Sequence, residues 1–286
     1  MSTPPPSTLP TTASPAPTVG AAAPSGLGRR LRRTRALVGA ETRLLMRNHT
    51  ALTGSVVLPL LFVAAVPMMT ADVPVVGVGP QLAVTAIGVT LLFLPYYNLV
   101  TTFAARREEL VLQRMRTGEL TDGEVLLGTA APSLLLTLGQ VAIVLVGIVV
   151  IGRWQAPVDV VLPAVAMLGG AVLMVLLAAA SSAVTRTAES AQVTTLPMVM
   201  VSFLLSGLVL PPSALPEQVA TAARFLPLTP VTELSRLGFA GRTWDDRAVD
   251  LAGAWAAAPL PLAVLAGWLV VSAVVARRVF RWAPRR

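Results

Sequence analysis

The sequence predicts an all-α integral membrane protein: six transmembrane helices, an N-terminal interfacial amphipathic helix, and an outer helical pair between spans 5 and 6. Three observations carry that reading. Of the 286 residues, 55% are hydrophobic and only 13% charged, against about 25% charged in a soluble domain; mean hydropathy is +0.74. The apolar residues gather in six runs, near 51–70, 81–105, 125–151, 160–185, 192–210 and 253–276, with no Asp, Glu, Arg or His in the middle of any. About 20 residues at a rise of roughly 1.5 Å cross a bilayer, and each run is of that order. The 22 basic residues are all arginine and are shared very unevenly between alternate connections.

The chain opens on residues 1–25, a Pro/Ala/Thr-rich stretch without charge whose seven prolines exclude a helix. It cannot bury a core and reads as a disordered cytoplasmic tail. It lacks the basic start and apolar stretch of a signal peptide. Residues 26–286 read as one transmembrane domain. Between 26 and 48, Leu27, Leu31, Val38 and Leu45 fall four and seven apart, with Arg29, Arg30, Arg32, Arg33, Arg43 and Arg47 around the remaining face. A basic helix with one apolar stripe lies in the membrane interface; binding nucleic acid is the alternative, disfavoured because a span follows at once. Within the spans, Pro95 and Pro132 mark kinks that neighbouring helices can accommodate. The fifth run is the shortest and holds Pro197 and Ser206-Gly207.

Residues 106–128, RREELVLQRMRTGELTDGEVLLG, form a dense island of charge between the second and third runs. Val111, Leu112 and Met115 share one helical face, with Arg107, Glu108, Arg114 and Arg116 largely elsewhere. Gly118 is placed to end that helix, and Thr121 with Glu124 forms a capping box for the next. Clamped between two spans, such a helix either passes force from a soluble partner or is a solvated loop that sets topology.

Seventeen arginines fall on the side of both termini and this loop, and five (Arg153, Arg224, Arg236, Arg242, Arg247) on the other. The positive-inside rule places the termini and the loop in the cytoplasm. Trp154, Trp255 and Trp282 lie near predicted span ends, where an amphipathic ring is favoured. The outer connection, residues 211–250, is too apolar for an ordinary loop. A short helix is expected near 219–225 and a second with Thr229 as N-cap, Pro230 at N1 and Gly238 past its end. The pair either re-enters the outer leaflet, where irregular backbone needs protein around it, or rests on the surface.

Several chemistries lack their residues. With no cysteine there is neither disulfide nor thiolate. With no lysine there is no P-loop for nucleotide hydrolysis. His49 is the only histidine, so no cluster holds a metal and no cofactor is implied. No acid lies within a span, as proton-coupled transport usually requires. The polar groups inside the spans are Asn98 beside Tyr96 and Tyr97, then Gln140, and Gln192 at a span start. Such groups bond across helices or line a pathway. A transporter built this way must borrow its energy.

The layout resembles the ABC-2 type permeases, the membrane subunits of ABC exporters, including the daunorubicin-resistance and sodium-efflux kinds. Four features carry the resemblance: the basic helix before the first span, the charged 106–128 loop with its Gly-Glu-Leu, the outer loop, and the basic-aromatic end Arg277-Arg278-Val279-Phe280-Arg281-Trp282. The outer loop is the most specific, with Pro211-Pro212-Ser213-Ala214-Leu215-Pro216, then Phe225-Leu226-Pro227-Leu228-Thr229-Pro230 and Arg236. Leu226 stands where that family commonly has asparagine. The resemblance implies a permease paired with a separate cytoplasmic ABC ATPase subunit and with a second permease copy, as homodimer or heterodimer, in the cell membrane. It implies a coupling helix at Arg107, Glu108, Glu109, Leu112, Met115 and Arg116, with a second contact at 183–190. It implies an outer gate at Pro211, Pro212, Leu215, Pro216, Phe225, Pro227, Leu228 and Pro230; Tyr97, Asn98 and Gln140 are pathway candidates. A secondary transporter and an energy-independent scaffold are the alternatives from other classes.

The charge count makes a direct prediction in a chain free of cysteine. A cysteine introduced at Thr117 should react only with a reagent applied from the cytoplasm, and one at Ser213 or Thr243 only from outside. Reversed labelling contradicts the orientation.

Overall fold

The computed structural model describes residues 77–111 and 121–280 throughout, and single positions or short groups between 32 and 65. The tail at 1–25, His49, Trp282 and most of the first apolar run lie outside the described residues. Positions described between 53 and 65 are helical, as are those between 32 and 47.

Five helices among the described residues are long and apolar enough to cross a membrane. The first, Val78–Glu108, is made of α1 (Val78–Leu91), a π-helical segment (Leu92–Asn98) and α2 (Leu99–Glu108). The others are α3 (Asp122–Val150), α4 (Val161–Ser182), α5 (Ala188–Leu205) and, last in the chain, α9 (Pro259–Val279). Three shorter helices lie between α5 and α9: α6 (Glu217–Ala223), α7 (Thr229–Ala240) and α8 (Leu251–Ala257).

Proline acts differently at each site. Pro95 sits inside the π segment; a residue without an N–H cannot complete the α-ladder, and a wider turn absorbs the gap. Pro132 and Pro197 stay within α3 and α5. The fifth span is shorter than its apolar run, ending where Gly207 takes φ 80°. The sixth run is two helices, joined through Ala258 and capped at their start by Asp250 Oδ1, which accepts from Gly253 N at 2.9 Å.

The core lies around α7. Its ten residues from Thr229 to Gly238 are all buried, and it packs on α1, α4 and α9. Backbones approach closely here because glycine leaves room. A Cβ on Gly170 of α4 would stand 2.8 Å from Leu91 of α1 and 2.9 Å from Val231 of α7. The expected second outer helix therefore exists, with different ends. Leu228 is its N-cap, Thr229 already lies within it, and it continues past Gly238 to Gly241, a left-handed C-cap at φ 57°. Gly238 is an interior residue whose missing Cβ admits Pro163, and its carbonyl accepts from Asp159 N at 3.1 Å. Contact, and not chain termination, explains that glycine.

Alanine at Gly238 would set its Cβ 2.2 Å from Pro163 Cδ and 2.7 Å from the Asp159 carbonyl. Separating α4 from α7 to relieve this should cost about 1–3 kcal/mol, seen as a lower melting temperature in detergent. Gly139 of α3 meets nothing within 4 Å, so Gly139→Ala should be neutral or stabilise by up to about 1 kcal/mol. Equal melting of both variants would contradict the packing account.

Candidate functional site

The charged end of the bundle is built on the last turn of α2. Arg106, Arg107 and Glu108 belong to the span itself and not to a separate loop helix. The helix stops at Glu109, and Leu110 takes φ 59°, a conformation in which a helix cannot continue. The expected helix end at Gly118 lies outside the described residues, as do Leu112, Met115 and Arg116.

Arg107 points inward and is 2% exposed. Its Nη1 donates to Ser182 O at 2.8 Å and its Nη2 to Thr185 O. These carbonyls close the C-terminal end of α4, where the helix dipole favours a cation. The next residue does the converse. Glu108 Oε2 accepts from Ala188 N at 3.3 Å, at the first turn of α5, where the dipole favours an anion. Two adjacent side chains thus hold both ends of the 183–187 turn. Arg106 Nη1 reaches Thr129 Oγ1 of α3 at 3.2 Å, so three spans meet at this one turn of helix. Glu109 and Leu110 are exposed beyond it.

The capping box forms as read. Thr121 N donates to Glu124 Oε2 at 2.7 Å and Glu124 N to Thr121 Oγ1 at 3.4 Å, starting α3. A second one starts α5, with Ser190 N donating to Thr187 Oγ1 at 3.1 Å and Thr187 N to Ser190 Oγ at 2.9 Å. Sequence reasoning missed it because serine replaces the usual Glu or Gln at N3.

At the opposite end the eight outer-gate candidates divide. Pro212, Pro227, Leu228 and Pro230 are buried, Pro211 and Leu215 half-buried, and Pro216 and Phe225 exposed. The Phe225 carbonyl accepts from Trp268 Nε1 of α9 at 2.8 Å. Ion pairs flank α7: Arg224 Nη2 lies 2.9 Å from Glu233 Oε1, and Arg236 bonds Asp246. Thr232 Oγ1 donates to Ser206 O, and Thr229 Oγ1 to Ala223 O at 2.6 Å, tying α7 to the chain on either side. Trp255 Nε1 donates to Asp159 Oδ2 at 3.1 Å, linking α8 to the turn before α4.

The intramembrane polar candidates do different things. Gln140 is buried and its Nε2 lies 3.5 Å from Val56 O, a contact across helices. Tyr97 and Asn98 are half-buried in the π segment, and Tyr97 packs on Phe93 with ring centroids 6.3 Å apart. Tyr96, not singled out as a site residue, is fully buried and its hydroxyl lies 3.2 Å from Ser181 Oγ of α4.

A family model described as ABC-2 type transporter matches residues 32–239. The match opens in the basic stretch before the first apolar run and closes one residue short of the end of α7. No curated protein matches the chain.

The geometry separates two neighbouring arginines that the sequence treats alike. Arg107→Met removes two charge-assisted bonds to buried carbonyls and should cost roughly 2–3 kcal/mol, read as lower membrane abundance and earlier thermal unfolding. Arg106→Met alters a half-buried side chain that reaches Thr129 Oγ1 and should cost less. An equal loss for both variants contradicts the placement.

Proposed function

The chain belongs to the ABC-2 type transporter family, and from that premise we propose that it moves substrate outward across the cytoplasmic membrane using a separate ATPase subunit. The family identity makes it a multi-pass membrane permease component, the transmembrane part of such a system and not the ATPase. In the proposed assembly two permease copies pair with two cytoplasmic ATPases. In this reading both termini and the 106–128 loop face the cytoplasm, which the arginine distribution supports.

The observation that carries the proposal is the Arg107–Glu108 clamp. The last turn of α2 is fastened to the 183–187 turn between α4 and α5, so the two connections expected to meet the ATPase move as one block. Glu109, Leu112, Met115 and Arg116 follow directly and supply the docking surface, while Arg107 and Glu108 carry its displacement inward. A helix rigidly joined to three spans transmits force; one on a slack tether does not.

At the outer end, α6 and α7 form the proposed re-entrant pair. The burial of α7 on all sides supports this, since irregular backbone within a bilayer needs protein around it. Pro211, Pro212, Leu215, Pro216, Phe225, Pro227, Leu228 and Pro230 would close the exit. Tyr97, Asn98 and Gln140 are the polar groups offered to a passing substrate.

The decisive measurement is made on the coupling surface. Leu112→Asp with Met115→Asp sets uncompensated charge in the ATPase interface, a loss of several kcal/mol, while the loop keeps its arginines and its orientation. ATP hydrolysis stimulated by substrate, and co-purification of the two subunits, should both fall sharply at equal membrane abundance. The chain purified alone should hydrolyse no ATP. Wild-type coupling in the double variant would remove this surface from the proposal.

A further inference from the structure

The basic stretch ahead of the first span carries a pattern that topology alone does not require. Arg35, Gly39, Arg43 and Arg47 are spaced four apart, so on a helix they form one stripe. The described residues here are helical, and the stripe faces a groove of about 670 Å³ lined by Arg35, Arg43, Arg47, Val38, Gly39 and Leu135 of α3. No acidic residue is among the described lining.

The two halves of the groove differ in chemistry. Val38 and Leu135 form an apolar wall, and Thr42, the other polar neighbour, turns its hydroxyl back to Val38 O at 2.8 Å. The cationic side is the set of guanidiniums. Gly39 lies beside Arg43: a Cβ there would be in ordinary van der Waals contact with Nη2 at 4.0 Å, and only a larger side chain would enter the groove. Like charges four apart on a helix repel, and an anion set between Arg43 and Arg47 relieves that repulsion. A guanidinium fork matches phosphate oxygens in pairs.

We infer that this groove is a binding site for an anionic glycerophospholipid, its phosphate held by Arg35, Arg43 and Arg47 and an acyl chain laid along Val38 and Leu135. The apolar wall selects a lipid over a free phosphate, and the three guanidiniums of the described lining select an anionic lipid over a zwitterionic one. The site depends on the chain being a membrane protein and not on the direction or energy source of transport.

The test uses the full-length chain reconstituted in bilayers of equal parts phosphatidylcholine and phosphatidylglycerol. After mild extraction, retained phospholipid is identified by native mass spectrometry. Wild type should retain phosphatidylglycerol in preference to phosphatidylcholine, and added inorganic phosphate should not displace it. Arg35→Gln/Arg43→Gln/Arg47→Gln should lower that retention by about tenfold or more. Gly39→Leu, which keeps every charge and fills the groove, should lower it too and serves if the triple variant does not insert. Arg277→Gln/Arg278→Gln, which removes arginines at the end of α9, should leave retention unchanged. Undiminished retention in Gly39→Leu or the triple variant overturns the site. So does displacement by inorganic phosphate, or an equal loss in the α9 variant, which would assign the effect to overall charge.

Discussion

The structure depends on keeping a short polar-containing helix in the middle of an apolar bundle. α7 carries Thr229, Thr232, Glu233, Ser235 and Arg236, all buried. Buried polar groups without partners each cost roughly 1–3 kcal/mol, so such a helix persists only if its surroundings answer them. They do so from both flanks. Arg224 arrives from just after α6, Asp246 from the loop before α8, and the Ser206 carbonyl from the end of α5. The Ala223 carbonyl adds a partner for Thr229 from the same side as Arg224. The close approach of α1, α4 and α9 then rests on small residues, with Gly170 and Gly238 at the tightest points.

The opposite end solves a different problem with the same means. α4 and α5 are joined by a short turn whose own capping box starts α5, and the two helix ends that meet there have dipoles of opposite sign. One arginine and one glutamate, adjacent in sequence, meet both. That arrangement makes three helices depend on a single turn of a fourth. The charge island begins inside the span, and its first residues, of which Arg107 is buried, bind neighbouring helices.

Much of this was legible in the sequence, and the misses have physical causes. The five spans among the described residues followed from hydropathy because length and apolarity are sufficient for a bilayer-crossing helix. The Thr121–Glu124 box was legible because both partners are local. By contrast, Arg106 and Arg107 are indistinguishable by composition, and only the placement of α4 decides which is buried. Gly238 read as a helix end because glycine commonly is one; its use as a contact surface depends on Pro163, which lies 75 positions earlier in the chain. The C-terminal end of α7 was misplaced for the same reason: Gly238 is a contact residue, and Gly241 is the cap. The polar side chains of the spans were legible as a set, but their separate roles were not, because bonding between helices is a long-range property.

The π-helical segment Leu92–Asn98 has a consequence for how this span tolerates a change in length. A π turn holds an extra residue relative to an α turn, and each residue of an α-helix turns the chain by about 100°. The N-terminal half of this span packs on α7, and its C-terminal half is tied to the turn between α4 and α5 through Arg107 and Glu108. The segment between them acts as a phase adjuster that lets two independently indexed halves share one helix. Deleting a single residue there would restore regular winding and swing one half out of alignment, although hydropathy along the span would scarcely change. Insertions and deletions near Pro95 are therefore far more consequential than substitutions of one apolar residue for another.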